Sequence, residues 1–208
     1  MRRCVIVGGA RIGRYGAIRP LLRPDDYMIY CDGGLDHEAA LSRAPDLIVG
    51  DFDSHEKPAS SAEVIVLPRE KDDTDTFFAA KEAVRRGFSE FLLIGAVGGR
   101  FDHSLGNLSL LLYLDSLGKR AVAADDFSEM EIVSRAPSFV APEFPYFSLL
   151  AVAGDARGVT VKDALYPLRD AVITPDFAYG VSNEPLPGKS AEISVGEGRL
   201  LLVRVRGE

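Results

Sequence analysis

Asp51 and Asp53 stand one residue apart in "PDLIVGDFDSHEKP", directly after the apolar run Leu47-Ile48-Val49-Gly50. Alternate residues of an extended segment share a face, so the two carboxylates can converge. Two like charges about 4 Å apart repel by roughly 4 kcal/mol at an effective dielectric of about 20. Water, a shared proton or a divalent cation must offset that repulsion. A hard cation such as Mg2+ takes one or two carboxylates and completes its shell with phosphate oxygens. A plain solvated acidic loop is the competing reading.

Other apolar runs end in residues of the same kind. Asp32-Gly33-Gly34 follows "YMIYC", where two glycines let backbone N–H groups approach a ligand. "PREKDDTDTFF" brings Asp73, Thr74 and Asp75 to a helix start, where a cap explains one acid and free amides favour phosphate. Asp75 is the acid best aimed at a metal. "GGRFDHSLGN" supplies Gly98 and Gly99 for close approach and Arg100 to fork onto phosphate oxygens. Asp102 and His103 open the next helix, and Asn107 follows one turn later; His103 reads first as a capping or orienting residue and second as a base. By contrast "GGARIG" (Gly8–Gly13) lacks the second glycine of a dinucleotide fingerprint and the Lys-Ser or Lys-Thr of a phosphate loop, so a strand-exit turn is favoured. Together the strand ends describe a phosphate–metal site.

The elements that must position these residues alternate up to about residue 125. Apolar runs at Cys4–Val7, Tyr27–Tyr30, Leu47–Val49, Val64–Leu67, Phe91–Gly95 and Arg120–Ala123 read as buried strands. "TDTFFAAKEAVRRG" predicts a helix with Phe77, Ala80 and Val84 inward, Asp73 as cap and Gly87 as stop. "DHSLGNLSLLLYLDSLG" predicts another with Leu105, Leu108 and Leu112 inward, ending at Gly118. After residue 125 helical periodicity fades and prolines multiply. "YFSLLAVAG", "GVTVKD", "SAEISV" and "RLLLVRVRG" are strand-like, and Gly196-Glu197-Gly198 suggests a hairpin turn. The expectation is an α/β domain over 1–125, with a mostly parallel sheet covered by helices, followed by an all-β sandwich over 126–208.

The 208 residues are 47% apolar and 26% charged, enough for a real core. A formal net charge of -7 argues against nucleic acid or an anionic membrane as partner, though not against a small anion held locally. Cys4 and Cys31 lie in apolar runs and read as buried reduced thiols. The N-terminus carries no signal-peptide pattern and no run reaches membrane-spanning length, so a cytoplasmic location is expected.

"CDGGLDHEA", "PDLIVGDFDS", "KDDTDTFFAAKEA" and "GAVGGRFDHSLGNLSLL", in this order, resemble the thiamine pyrophosphokinase (thiamine diphosphokinase) family. "YPL" (Tyr166–Leu168), "GVSNE" (Gly180–Glu184) and "GRLLLVRV" extend the likeness to nearly the whole chain. The resemblance implies an ATP-using, Mg2+-dependent transfer of a diphosphoryl group to thiamine, giving AMP and thiamine diphosphate. It implies a homodimer with thiamine between opposing subunits. Carried onto this chain, it makes Asp51, Asp53 and Asp75 the metal-handling and hydroxyl-activating acids, with Arg100 beside them. Asp32, Gly33, Gly34, Thr74, Arg100 and Asp102 become nucleotide contacts, which His103 and Asn107 join from the helix start. Ser182 and Asn183 become thiamine contacts. The chain has no tryptophan, so ring stacking falls to Tyr179 or Phe177. Two other readings fit the residues alone: an aspartyl phosphotransferase or phosphatase, and a non-catalytic nucleotide sensor.

Overall fold

A computed structural model of the chain describes residues 2–52, 61–70 and 72–207. The chain divides into two compact units, Met1–Asp126 and Phe127–Glu208.

The first unit is built from β1 (Cys4–Val7), α1 (Tyr15–Ile18), β2 (Tyr27–Cys31), α2 (Glu38–Leu41), β3 (Leu47–Gly50), β4 (Glu63–Val66), α3 (Asp75–Arg85), β5 (Glu90–Ile94), α4 (Phe101–Ser116) and β6 (Arg120–Ala124). Its strands run in the order β4-β3-β2-β1-β5-β6, every neighbouring pair parallel. β1, β3 and nearly all of β2 and β5 are buried, which is why they read as unbroken apolar runs rather than alternating ones. Successive strands step outward from β1 to β4, and α3 then returns the chain to β5 on the other side of β1. The sheet therefore reverses direction between β1 and β5, and ligands of open α/β sheets bind at the carboxyl side of such a point.

The two ends of the strands differ in chemistry. The amino ends carry ion pairs. Arg3 forks onto the fully buried Asp26 at 2.9 and 2.7 Å, and Arg86 joins Glu63, Glu82 and the Tyr27 hydroxyl. The carboxyl ends carry glycines and acids.

Both long helices differ from expectation in detail. Thr74, not Asp73, caps α3: its Oγ1 accepts from Phe77 N at 3.2 Å, while Asp73 pairs with Lys81. The face of α3 turned to the core is Ala79, Ala80, Glu82 and Ala83, leaving Phe77 and Val84 half-buried. In α4 the buried stripe is Asn107, Leu110, Leu111 and Leu114, and Leu105 is exposed. α4 is apolar on most sides, so leucine spacing alone does not choose its inner face.

The second unit contains β7 (Ser128–Val133), β8 (Ser138–Val140), β9 (Tyr146–Ala151), β10 (Ala156–Lys162), β11 (Leu168–Ile173), β12 (Ala191–Ser194) and β13 (Leu200–Val205). They form two antiparallel sheets, β7-β13-β9 and β11-β10-β12-β8. Val133, Phe147, Leu149, Leu200 and Leu202 from the first meet Val140, Val159, Val161 and Ile193 from the second in one core, as in a β-sandwich. Gly196–Gly198 is not a hairpin turn. β12 and β13 belong to different sheets, and the glycines carry the chain from one to the other against the start of β10. Among the described residues no helix is long and apolar enough to cross a membrane.

Candidate active site

Gly8 and Gly95 leave β1 and β5 at the point where the sheet reverses. Their backbones touch so closely that a side chain on either would overlap the other's carbonyl oxygen. Gly34 packs in the same way against Val7 O. Asp32-Gly33-Gly34 opens a 3-10 turn after β2, with Asp32 at a positive φ of 39°. These close approaches draw the ends of β1, β2 and β5 around a cleft of about 470 Å³.

Three further elements close the cleft. Thr74, Asp75 and Thr76 line it from the first turn of α3. Gly98, Gly99 and Arg100 line it from the loop before α4, with both glycines at positive φ (111° and 66°). His103 and Asn107 reach it from the first turns of α4. Two helix N-termini thus line one space, and each brings its first-turn amides and the positive end of a dipole. An anion with several charged oxygens is the ligand such a place favours.

Asp32 and Asp75 bring negative charge into the same cleft. In both residues Oδ1 is a buried carboxylate oxygen, and such an oxygen is costly unless a donor or a cation faces it. Cys31 lines the cleft beside them; burial first, and then the Asp75 and Asp32 charges, push its thiol well above the usual range. Two hard oxygen donors beside a phosphate-favouring cradle fit Mg2+, which takes one or two carboxylates and leaves the remaining positions to water and phosphate. Among the described residues no three His, Cys, Asp or Glu side chains gather as a metal centre.

Not every expected residue faces the cleft. Asp51 follows β3 and is half-buried; Gly50 before it abuts Asp32, whose Cα and Cβ would lie 3.3 Å from a Cβ there. Asp51 is therefore a short step from the acid pair without lining the space itself. Asp53 lies outside the described residues. Asp102 turns to Arg100, bonding its Nη2 at 2.5 Å and its Nε at 3.2 Å, and the guanidinium holds the Asp102 carboxyl down at about 2. Asn107 is engaged at both ends of its amide: Oδ1 accepts from Thr76 Oγ1 at 2.9 Å and Nδ2 donates to Ala96 O at 2.6 Å.

Reasoning from strand ends passed over one side of the cleft. Gly8, Gly9, Ala10 and Arg11 line it, although their sequence reads as a plain exit turn. The incomplete fingerprint concealed them. Gly8 is required by contact with Gly95 rather than by a dinucleotide, so the familiar glycine spacing is not needed.

In the second unit, Gly180–Asn183 runs along β9: Leu149 N donates to Gly180 O, and Phe147 and Asn183 exchange two backbone bonds of 2.8 and 2.9 Å. Asn183 is buried. Its Oδ1 accepts from Tyr166 N and Glu184 N, and its Nδ2 donates to Tyr166 O, which fixes the Tyr166 segment to β9. Ser182 is exposed at a positive φ of 60°. Tyr166, Phe177, Tyr179 and Val181 are exposed around these segments, and Phe177 and Tyr179 lie ring to ring at 5.5 Å.

The profile of the thiamin pyrophosphokinase catalytic domain matches residues 18–123, and that of the vitamin B1 binding domain of the same enzymes matches residues 131–200. A thiamine pyrophosphokinase of Bacillus subtilis (strain 168) is 27% identical over 165 residues, covering 74% of this chain and 76% of the relative. The crystal structure of a thiamine pyrophosphokinase from B. subtilis superposes with a TM-score of 0.88 at 22% identity, covering all of both chains. That from Geobacillus thermodenitrificans does so at 0.81 and 26%, covering 99% and 98%. The yeast enzyme shares the fold at 0.74 with only 13% identity, covering 98% of this chain and 86% of its own. With both domain profiles in sequence order and most of the cleft inside the first, this chain belongs to the thiamin pyrophosphokinase family and is an enzyme of the kinase class.

Proposed function

We propose that the chain transfers the diphosphoryl group of ATP to the hydroxyl of thiamine, giving AMP and thiamine diphosphate. The observation that carries this reading is one cleft holding Asp32, Asp75, Arg100 and two helix N-termini at the sheet reversal. Phosphoryl-type transfer asks a protein mainly for positioning and charge neutralisation, and those are the parts on hand.

In the proposed reaction the thiamine hydroxyl oxygen bonds to the β-phosphorus. The bond from that phosphorus to the oxygen shared with the α-phosphorus breaks, and AMP leaves with that oxygen. The hydroxyl proton passes to a carboxylate at the end of β3, Asp51 or Asp53. Asp75 works with them and with Asp32 as the acid set able to hold Mg2+, which when bound neutralises phosphate oxygens. Arg100 and the first-turn amides of α3 and α4 face charge growing on the transferred group and its leaving oxygen. Gly33, Gly34 and Thr74 shape the cradle, Asp102 orients Arg100, and His103 and Asn107 complete the α4 wall.

Thiamine is assigned to the second unit, where Ser182 and Asn183 order a surface rich in exposed aromatic groups. Tyr166, Phe177 and Tyr179 offer apolar faces for its rings. The enzyme is proposed to act in the cytoplasm as a homodimer.

The test is AMP release from ATP, measured with and without thiamine and after EDTA. Thiamine-dependent AMP that vanishes with EDTA and returns with Mg2+ is expected. AMP formation indifferent to thiamine, or an acyl-phosphate trapped on Asp51, would replace this reading with the aspartyl phosphotransferase; binding of both ligands without turnover would leave a sensor.

A further inference from the structure

Arg11 lines the cleft from the loop that follows β1 and is exposed. Among the described residues its guanidinium makes no hydrogen bond or ion pair, whereas the cleft's other guanidinium, Arg100, is already bonded to Asp102. An exposed arginine with no partner usually sweeps a wide volume. This one is carried by a loop fixed on both sides. Ala10 N donates to Gly95 O at 2.8 Å, and Ala10 O is 3.0 Å from Nε2 of the buried His37. A carbonyl can only accept, so Nε2 carries the hydrogen, and Nδ1 accepts from the Tyr15 hydroxyl at 2.7 Å. Beyond Arg11, the Asp126 carboxylate accepts from Gly13 N at 2.8 Å and Arg14 N at 3.0 Å. The backbone of Arg11 is held between these anchors, and the cost of ordering it on binding is correspondingly small.

We propose that Arg11 is a phosphate-binding residue of the nucleotide cleft, and that His37, bonded to Tyr15, positions it through Ala10. This rests on the reading of the cleft as the ATP site. A guanidinium offers planar paired donors that match two phosphate oxygens, and here it would meet the triphosphate from the β1 side.

The test is steady-state kinetics on the full chain with Mg2+. Arg11→Ala is expected to raise KM for ATP about tenfold, the scale of one lost charge-assisted bond, with a smaller fall in kcat and no change in KM for thiamine or in Tm. Arg11→Lys should recover part of the loss, since it keeps the charge but not the fork. Arg100→Ala is the control: if it raises KM for ATP while Arg11→Ala stays within twofold of wild type, the inference fails and the ATP cleft stands. If neither moves it, the cleft assignment itself falls. The positioning role is read by a double-mutant cycle. His37→Gln should raise KM for ATP in the wild-type background and add nothing to Arg11→Ala; equal effects in both would overturn it. Tyr15→Phe, which removes only a hydroxyl, runs the same cycle should His37→Gln fold poorly.

Discussion

Asn107 Oδ1 accepts a hydrogen bond of 2.9 Å from Thr76 Oγ1, tying the second turn of α4 to the first turn of α3 on the wall of the cleft. The other end of the same amide holds Ala96 O, so one side chain sets the spacing of both helix N-termini and of the loop after β5. Asn107→Ala should cost about 1–3 kcal/mol of stability, because Ala96 O and Thr76 Oγ1 lose their buried partner. It should also raise KM for ATP more than it lowers kcat. Chemical denaturation and initial rates on the same preparation check both.

Asp75→Asn keeps the shape of the α3 start and removes its charge. AMP formation should fall by about two orders of magnitude or more, the loss typical of a positioned charge in a transfer site, with Tm nearly unchanged. Near-normal turnover would remove Asp75 from the acid set. The same measurement on Asp53→Asn places the acid beyond β3.

Two glycines give opposite expectations. A Cβ on Gly34 would overlap the Val7 carbonyl, a backbone atom with nowhere to move, so Gly34→Ala should unfold the α/β unit or cost upward of about 3 kcal/mol. Gly106 lies inside α4 with open space where its Cβ would go, so Gly106→Ala should stabilise by about 1 kcal/mol. Melting curves for the pair decide.

Asn183→Ala cuts the bonds that fix Tyr166 to β9 and leaves the α/β cleft untouched. KM for thiamine should rise several-fold while KM for ATP holds. A rise in both alike would remove Asn183 from the thiamine side.

Glu82 carries a pH signature. Hydrogen bonds from Arg85, then Arg86, outweigh the opposing effect of burial and lower its carboxyl from 4.5 to about 2. A carboxyl lowered in the folded state stabilises fully above its unfolded value and loses that contribution as pH falls through the folded one. Glu82→Gln should therefore be destabilised by about 2 kcal/mol at neutral pH. Its deficit relative to wild type should shrink between pH 4.5 and 2. Urea titrations at several pH values measure it.

Much of this architecture is legible in the residues. β1, β2, β3 and β5 announce themselves because a parallel strand covered on both faces must be apolar throughout. Three strands of the second unit do not. β7 interleaves Glu129 and Glu131 with apolar residues, β8 is three residues long, and β11 is interrupted by Asp170 at a positive φ of 51°. The cleft walls at Asp32, Asp75, Arg100 and Asn107 follow from asking what succeeds each apolar run. Arg11 does not, since its setting depends on Gly95, His37 and Asp126, all remote in sequence. The inner face of α4 was hidden for a related reason: a polar residue, Asn107, selects it, and leucines occupy both sides.

Cys4 and Cys31, each inside the α/β sheet and each with its thiol pushed to a high pKa by burial, make the molecule its own stopwatch. An alkylating reagent needs a thiolate and a path to it; for Cys4 both arrive only when the strands part, whereas Cys31 borders the cleft. The rate at which iodoacetamide labels Cys4 thus reports how much of the time the sheet stands open. Because Cys31 lines the cleft together with Asp32 and Asp75, a nucleotide seated there should slow its labelling.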